Sequence, residues 1–141
     1  MAAAKIAVLS FDGEDPYSVR AHVIKAFTNR GMKVESALKS PATPEEFRDM
    51  GAALNLSVYI HGEIKETSND HATATVVVRS AVSGKKTATA TFNGFRRGLP
   101  FDIEEQLWAR LGKAVMQGCA EASKPGRRHS EPLVIEAGTP L

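Results

Sequence analysis

The stretch that decides the fold runs from His71 to Gly94 and reads HATATVVVRSAVSGKKTATATFNG. Alanine or valine alternates with threonine on both sides of a Ser-Gly pair. Strict alternation is typical of a β-strand whose two faces meet different surroundings. The stretch therefore predicts a β-hairpin with an Ala/Val face toward the core and a threonine face on the other side.

The alternation also predicts the register of this hairpin. A slip of one residue would turn a strand over, so the two alanine faces coincide only if the loop has an odd number of residues. A three-residue loop, 82–84, satisfies this condition and places Gly84 in the left-handed conformation common in such loops. The expected cross-strand pairs are Thr75 with Thr91, Val77 with Thr89, Ala74 with Phe92, and Val76 with Ala90.

Three further strands precede the hairpin. The apolar run KIAVLSF at 5–11 predicts a buried strand, and 32–37 predicts a second one. Residues 56–65 alternate between apolar and polar side chains, which predicts a half-buried strand. Gly62 interrupts that strand, and we expect a helix side chain to pack against it.

Three helices are indicated by capping signals and helical spacing. Asp15 followed by Pro16 predicts the start of the first helix, and Thr43 to Glu46 forms a capping box for the second. A similar pattern at Asp102 and Glu105 predicts the start of a long third helix. Its apolar stripe consists of Ile103, Leu107, Leu111 and Val115.

The element order β-α-β-α-β-β-β-α predicts an α+β two-layer sandwich, a mixed five-stranded sheet with helices packed on it. We expect the two crossover helices to lie on one face of the sheet. Residues 1–123 are predicted to form a single domain. The composition then changes to KPGRRHSEP, so 124–141 is predicted to be a tail or linker.

Composition excludes several function classes. The 141 residues carry 18 Lys and Arg against 16 Asp and Glu, and this balance gives no footprint for nucleic acid. The single cysteine, Cys119, excludes an internal disulfide and a multi-cysteine metal site. No apolar run is long enough to span a membrane, and the start does not read as a secretory signal. The chain is therefore expected to be cytosolic or a mature domain.

No catalytic constellation or cofactor motif is visible. The four histidines show no metal-ligand spacing, and no serine lies in a nucleophile elbow. His61 and Glu63 on one strand face could form an acid/base pair, but solvated polar positions explain them better. The acidic loop 12–15 could bind magnesium or a nucleotide at the end of the first strand, or it could be a turn with a helix cap. Trp108 is either a core residue or a docking anchor.

The threonine face is the candidate partner-binding surface. A face of hydroxyls with a few apolar side chains suits a weak or transient contact, and a solvated face is the open alternative. We expect the domain alone to be a monomer that docks a protein through this face or through an open sheet edge. The predicted face consists of Tyr59, Thr73, Thr75, Val77, Thr87, Thr89 and Thr91.

Three segments resemble the TolB amino-terminal-domain-like family of bacterial envelope proteins. They are KIAVLSFDG at 5–13, MGAALNLSVYIHGEIKE at 50–66 and VVVRSAVSGKKTATATFNG at 76–94. Gly62 matches the strand glycine of that family, and Ser83-Gly84 matches its hairpin turn. The resemblance implies a mixed sheet with helices against it, a periplasmic or cell-envelope location, and binding of protein partners without catalysis or cofactors. The chain departs from the family in its lack of a signal peptide, a lipoprotein cysteine and propeller repeats.

The sequence thus predicts a non-catalytic protein-binding module of a bacterial cell-envelope assembly. Two alternatives stay open. One is a small enzyme or nucleotide- or magnesium-binding domain that uses loop 12–15. The other is a structural domain of a larger envelope assembly.

Overall fold

The computed structural model describes residues 5–124. The strands are β1 (Lys5–Asp12), β2 (Lys33–Glu35), β3 (Val58–Glu66), β4 (His71–Ser80) and β5 (Lys86–Phe95). The helices are α1 (Val19–Thr28), α2 (Pro44–Ala53) and α3 (Leu99–Ala122). The predicted element order is confirmed. Apart from Lys124, the predicted tail 124–141 lies outside the described residues.

The five strands form one mixed sheet in the order β2-β1-β3-β4-β5. β1 pairs in parallel with β2 and β3, and the remaining pairs are antiparallel. α1 and α3 cover one face of this sheet, which we call the helical face. The α+β two-layer sandwich predicted from the sequence is confirmed.

The expectation that both crossover helices lie on one face is wrong. Phe47 of α2 packs with Ala7, Leu9 and Tyr59, whereas α1 and α3 pack on the alternating side chains such as Ile6. The strand order explains the difference. The crossover from β1 to β2 runs toward one edge of the sheet, and the crossover from β2 to β3 runs back past β1 in the opposite direction. Two crossovers of the same hand that run in opposite directions must use opposite faces of the sheet. α2 therefore covers one corner of the second face, which we call the outer face.

The predicted register of the hairpin is confirmed, including the pairs Thr75–Thr91 and Val77–Thr89. The loop itself differs from the prediction. The N–H of Ser80 donates to the carbonyl oxygen of Lys85 at 2.9 Å, so four residues, 81–84, make the turn. Arg79 pairs with Lys86 and Val78 pairs with Ala88, so Thr87 is an extra residue in β5 that forms a bulge. This bulge restores the register that the sequence predicts for the rest of the hairpin. Gly84 has a φ of 75°, the predicted left-handed conformation.

The helix starts follow the predictions only in part. In α2 the hydroxyl of Thr43 accepts the N–H of Glu46 at 3.2 Å, as the capping box predicts. α1 begins at Val19, after the predicted start, yet its cap is still Asp15. α3 begins at Leu99 behind Gly98, so the capping pattern at Asp102 does not start this helix. Pro100 fits the first turn because its missing N–H has no partner to lose there.

The core lies between the sheet and the pair α1 and α3. The predicted stripe of α3 is buried, with Ile103, Leu107, Leu111 and Val115 each at most 2% exposed. Gly62 does not meet a helix side chain, contrary to the prediction. A β-carbon there would overlap the carbonyl oxygen of Thr75 in β4 and would lie 3.3 Å from Cε2 of Phe11 in β1. The close neighbours of Gly62 are thus the strands β4 and β1 rather than a helix. β1 has a bulge between Val8 and Phe11, which brings the Phe11 ring across the glycine.

Within residues 5–124, no helix combines the length and the apolar character needed to cross a membrane.

Candidate functional site

The part of the outer face that α2 leaves uncovered is built from β3, β4 and β5, and we call it the open face. Its side chains form three rows, each of which crosses the three strands in register. The rows are His61–Val77–Thr89, Glu63–Thr75–Thr91 and Lys65–Thr73–Asn93. Because cross-strand neighbours on one face lie about 4.5–5.5 Å apart, these side chains form one continuous patch.

Four of the predicted threonines stand together at the centre of this patch. Thr89 and Thr91 are exposed, and Thr73 and Thr75 are half-buried. The hydroxyl of Thr73 donates to the amide oxygen of Asn93 at 2.6 Å. Val77 belongs to the same face but is only 7% exposed, so it adds little surface. The open face is therefore a polar, largely uncharged centre with charged side chains on β3 at its side.

Tyr59 is not part of the accessible surface, and its prediction as a docking residue is wrong. Its side chain points to the outer face, as the alternation predicts, but α2 covers it completely. The ring meets Phe47 edge-on with 4.9 Å between centroids, and the hydroxyl donates to the carbonyl oxygen of Phe47 at 2.8 Å. Tyr59 thus anchors α2 to the sheet.

Thr87 also lies apart from the other threonines. As the bulged residue of β5 it leaves the alternation, and its hydroxyl donates to the carbonyl oxygen of Val78 at 3.3 Å. Its side chain lines a shallow depression beside Gly118 and Glu121 of α3. Its prediction as a member of the docking face is therefore wrong.

A cluster of Arg79, His61 and Phe47 forms the border between the open face and α2. Nε of Arg79 donates to Nε2 of His61 at 3.3 Å, and Nη1 donates to the carbonyl oxygen of Gly84 at 2.6 Å. The guanidinium also lies 4.3 Å from the centroid of the Phe47 ring. Cation–π attraction and two hydrogen bonds hold Arg79 in place, so this border is a preformed wall.

The pKa of His61 is lowered to about 4, mainly by burial and also by the positive charges of Arg79 and Lys86, while the charge of Asp12 acts in the opposite direction. The imidazole is therefore neutral at physiological pH, with Nε2 as the acceptor that Arg79 requires. This assignment explains His61 as part of the wall. Its strand neighbour Glu63 instead lies 3.9 Å from Lys65, oxygen to ammonium nitrogen.

In the acidic loop 12–15, Asp15 has a structural role as the cap at the start of α1. One carboxylate oxygen accepts the N–H of Val19 at 2.6 Å and the other accepts the N–H of Arg20 at 3.0 Å. The carboxylate thus satisfies two free donors at the start of α1, where the helix dipole also favours negative charge. Across residues 5–124, no group of three or more His, Cys, Asp or Glu side chains is placed to hold a metal ion.

Trp108 and Cys119 are both partly buried against the core. Trp108 is partly buried against the core, 6.4 Å from the Phe27 ring and beneath the guanidinium of Arg30 at 4.4 Å. Cys119 is half-buried, and burial raises the pKa of its thiol. A thiol with a raised pKa is a poor nucleophile at neutral pH.

The sequence analysis missed His61, Asn93 and Arg79 as members or borders of the open face. The register between β3 and β4, which places His61 beside Val77, depends on the turn at 67–70. A count of residues across that turn would have found His61, and the alternation and register of the hairpin would have found Arg79 and Asn93.

Comparison with solved structures supports the fold. TolB from Acinetobacter baumannii aligns with a TM-score of 0.58 and 16% sequence identity, over 80% of this chain and 29% of that one. The lipoprotein GNA1162 from Neisseria meningitidis aligns with a TM-score of 0.51 and 14% identity, over 86% of this chain and 99% of that one. This chain has the TolB amino-terminal-domain-like fold, which confirms the resemblance at the level of the fold. It spans under a third of the TolB chain that it matches.

No protein-family model matches the chain, and no curated protein matches it.

Proposed function

We propose that this chain is a non-catalytic protein-binding module of a bacterial cell-envelope assembly and that the open face is its docking surface. The observation that carries the proposal is the block of Thr73, Thr75, Thr89 and Thr91, held in register on a face that α2 leaves uncovered. A module of this kind needs a rigid scaffold and an accessible surface. The sheet, backed by α1 and α3, supplies both.

The chemistry of the open face favours a weak or transient partner. Its central side chains are hydroxyls and an amide, and its one aliphatic member, Val77, is buried by its neighbours. Obligate interfaces bury more apolar area and resemble a core cut in half. The isolated domain is accordingly expected to be a monomer.

The envelope location rests on the fold neighbours. These neighbours include TolB and a protein that is named as a lipoprotein. The fold is shared at 14–16% identity, so the location and the class of partner are carried over as parts of this proposal.

The test is the double variant Thr75→Lys with Thr89→Lys. Two lysines in adjacent rows would place desolvated charges in any interface on the open face. Both side chains reach solvent, so circular dichroism and the melting temperature should be preserved. A matched control is Thr28→Lys, which adds a lysine at an exposed threonine at the end of α1.

The assay is affinity capture from a bacterial envelope fraction, compared among the three proteins. Proteins that the wild type and the Thr28→Lys control retain should be lost with the double variant. If the folded double variant retains all of them, the open face is not the docking surface. If it unfolds, these threonines are structural and the assignment of an open face is wrong.

A further inference from the structure

β5 lies at the edge of the sheet, and one side of its backbone has no strand partner within residues 5–124. The direction of its main-chain groups follows from two hydrogen bonds. The N–H of Arg96 donates toward β4, to the carbonyl oxygen of Asp70 at 2.7 Å. The carbonyl oxygen of Thr91 points away from β4, because it accepts from the Arg110 side chain of α3 at 2.7 Å. In an antiparallel ladder this direction alternates, so Thr89, Thr91 and Asn93 present N–H and C=O groups to the open edge.

This edge lacks the usual protection against pairing with another chain. Exposed edge strands generally carry charged residues or proline, or are kept short. β5 has ten residues, and its stretch 87–95 contains neither charge nor proline. In the described part of the chain, one side chain forms a hydrogen bond to this edge: Arg110, which donates to the carbonyl oxygen of Thr91. Its guanidinium also lies 4.6 Å from the centroid of the Phe92 ring. Removal of that guanidinium from Thr91 would leave a complete row of donors and acceptors.

The handedness of crossovers disfavours one occupant for this edge, a parallel strand that follows α3 directly. β5 runs parallel to β1, and α3 lies on the same face as α1. α1 leads from β1 to the side of the sheet where β2 lies, and the open edge of β5 is on the opposite side. A strand that followed α3 directly and paired in parallel with β5 would therefore make a crossover of the opposite hand to β1-α1-β2. Crossovers in one sheet are right-handed in about 98% of cases.

A second copy is also disfavoured. A two-fold pairing of β5 strands centred on Thr91 would bring two Arg110 side chains to the same axis. Like charges at such a position oppose association. The same guanidinium would instead favour a carboxylate on an incoming strand, because ion-assisted hydrogen bonds are the stronger ones.

The charges around the edge agree with an acidic occupant. Lys113 is three residues from Arg110 and therefore on the same side of α3, and Lys86 begins the edge strand. The acidic Asp102 lies at the far end, beside Gly94. At its beginning, Glu121 and Lys124 lie beside Thr87, and the Glu121 carboxylate accepts the hydroxyl of Ser80 at 2.7 Å. The middle of the edge is thus basic, and its beginning carries both signs of charge.

We propose that the β5 edge binds an extended segment of a partner protein by strand addition, and that a carboxylate of this segment binds Arg110 in place of the Thr91 carbonyl. The inference rests on the proposed function as a protein-binding module. It adds a second contact, made by the main chain of Thr89, Thr91 and Asn93, whose side chains belong to the open face. Main-chain hydrogen bonds to Thr89, Thr91 and Asn93 give the affinity, and Arg110 selects the charge.

The test uses the full chain, labelled with nitrogen-15, and two blocked seven-residue peptides, SVTEVTS and SVTKVTS. The glutamate peptide should shift the amide signals of Thr89, Thr91 and Asn93 and slow their hydrogen exchange. The lysine peptide should bind about tenfold more weakly. Arg110→Glu should reverse the order of the two peptides.

Thr91→Pro removes the N–H that faces the open edge and should therefore abolish peptide binding. The variant should still fold, because proline is tolerated on an edge strand. The matched control is Thr91→Val, which keeps the N–H and should bind as the wild type does. Thr75→Lys changes only the open face and should leave peptide binding unchanged. If Thr91→Pro does not fold, the exchange pattern of the wild type and the reversal by Arg110→Glu decide the question.

Three results would overturn the inference. The amides of Thr89, Thr91 and Asn93 could be protected before peptide is added, which would mean that the edge is already occupied. Arg110→Glu could leave the preference for glutamate intact. Thr75→Lys could abolish peptide binding while Thr91→Pro preserves it, which would assign the peptide to the open face and leave the proposed function standing without the edge.

Discussion

Gly62 of β3 lies so close to Thr75 of β4 that a β-carbon on the glycine would overlap the threonine carbonyl oxygen. The Phe11 ring limits the same space from the other side, at 3.3 Å from that β-carbon position. A backbone carbonyl cannot turn away as a flexible side chain can. The two strands would have to separate before any larger residue could enter.

Gly62→Ala is therefore expected to lower the free energy of unfolding by about 1–3 kcal/mol, the usual cost of overpacking. Urea unfolding followed by circular dichroism measures this. Gly94→Ala is the matched control, because its β-carbon would meet no atom closer than 3.7 Å, the Oδ2 of Asp102. Equal unfolding midpoints for the wild type and Gly62→Ala would show that the strands can separate at little cost.

The carboxylate of Asp15 is expected to stabilise α1. Asp15→Ala removes the acceptor for the N–H groups of Val19 and Arg20 and should cost about 0.5–2 kcal/mol, as for other lost N-terminal caps. Thermal unfolding of this variant and of Glu14→Ala gives the comparison, since Glu14 is exposed in the same loop.

The same pair of variants distinguishes a cap from a ligand site in loop 12–15. Magnesium is expected to cause no localised shift of the amide signals of this loop. Saturable shifts that disappear in Asp15→Ala, without a loss of stability, would favour the alternative of a magnesium- or nucleotide-binding domain.

Tyr59→Phe should loosen α2 from the sheet. The substitution leaves the carbonyl oxygen of Phe47 without the hydroxyl that donates to it at 2.8 Å in a fully buried position. Phe47 lies within α2, so its carbonyl keeps its place in the hydrogen-bond pattern of the helix, and the loss of this one hydrogen bond should cost about 0.5–1.5 kcal/mol. Tyr17→Phe, at a tyrosine that is 37% exposed, should leave the unfolding midpoint unchanged. A similar midpoint for both variants would mean that water replaces the lost donor.

The sequence predicted the hairpin well because its period-two pattern is local and each face has one composition. The pairs Thr75–Thr91 and Val77–Thr89 followed from that pattern alone. The bulge at Thr87 did not, because the four-residue turn that requires it is closed by hydrogen bonds of Ser80.

The candidate site was predicted only in part, for a reason of topology. Alternation placed Tyr59 on the correct face of β3. Whether that position is open or covered depends on where α2 lies, and this depends on the order of the strands. Strand order is a non-local property that no window of residues contains. The hydrogen bond of Arg110 to the edge strand was missed for the same reason, because the packing of α3 brings this side chain to Thr91.

His61 should remain uncharged in the folded protein far below the usual range of histidine. Burial is the largest cause of its lowered pKa of about 4, and the nearby charges of Arg79 and Lys86 add to it. The unfolded chain regains the ordinary value of 6.5. Between these two values the unfolded state binds more protons than the folded state does, so stability falls as the pH is lowered from about 6.5 to about 4. NMR titration of the His61 ring should give a midpoint near 4.

Carboxylates and the other histidines also titrate in this range, so the contribution of His61 has to be isolated by difference. His61→Gln offers an amide oxygen to the Nε of Arg79 without a titrating group, and its stability should fall less steeply over the same pH interval. The comparison requires urea unfolding of both proteins at several pH values between 4 and 7. Parallel stability curves, or a ring midpoint near 6.5, would mean that His61 is not buried beside Arg79 and that the wall beside α2 is not preformed. Without that wall, α2 would not define one side of the open face, and the docking surface would have to be sought elsewhere on the sheet.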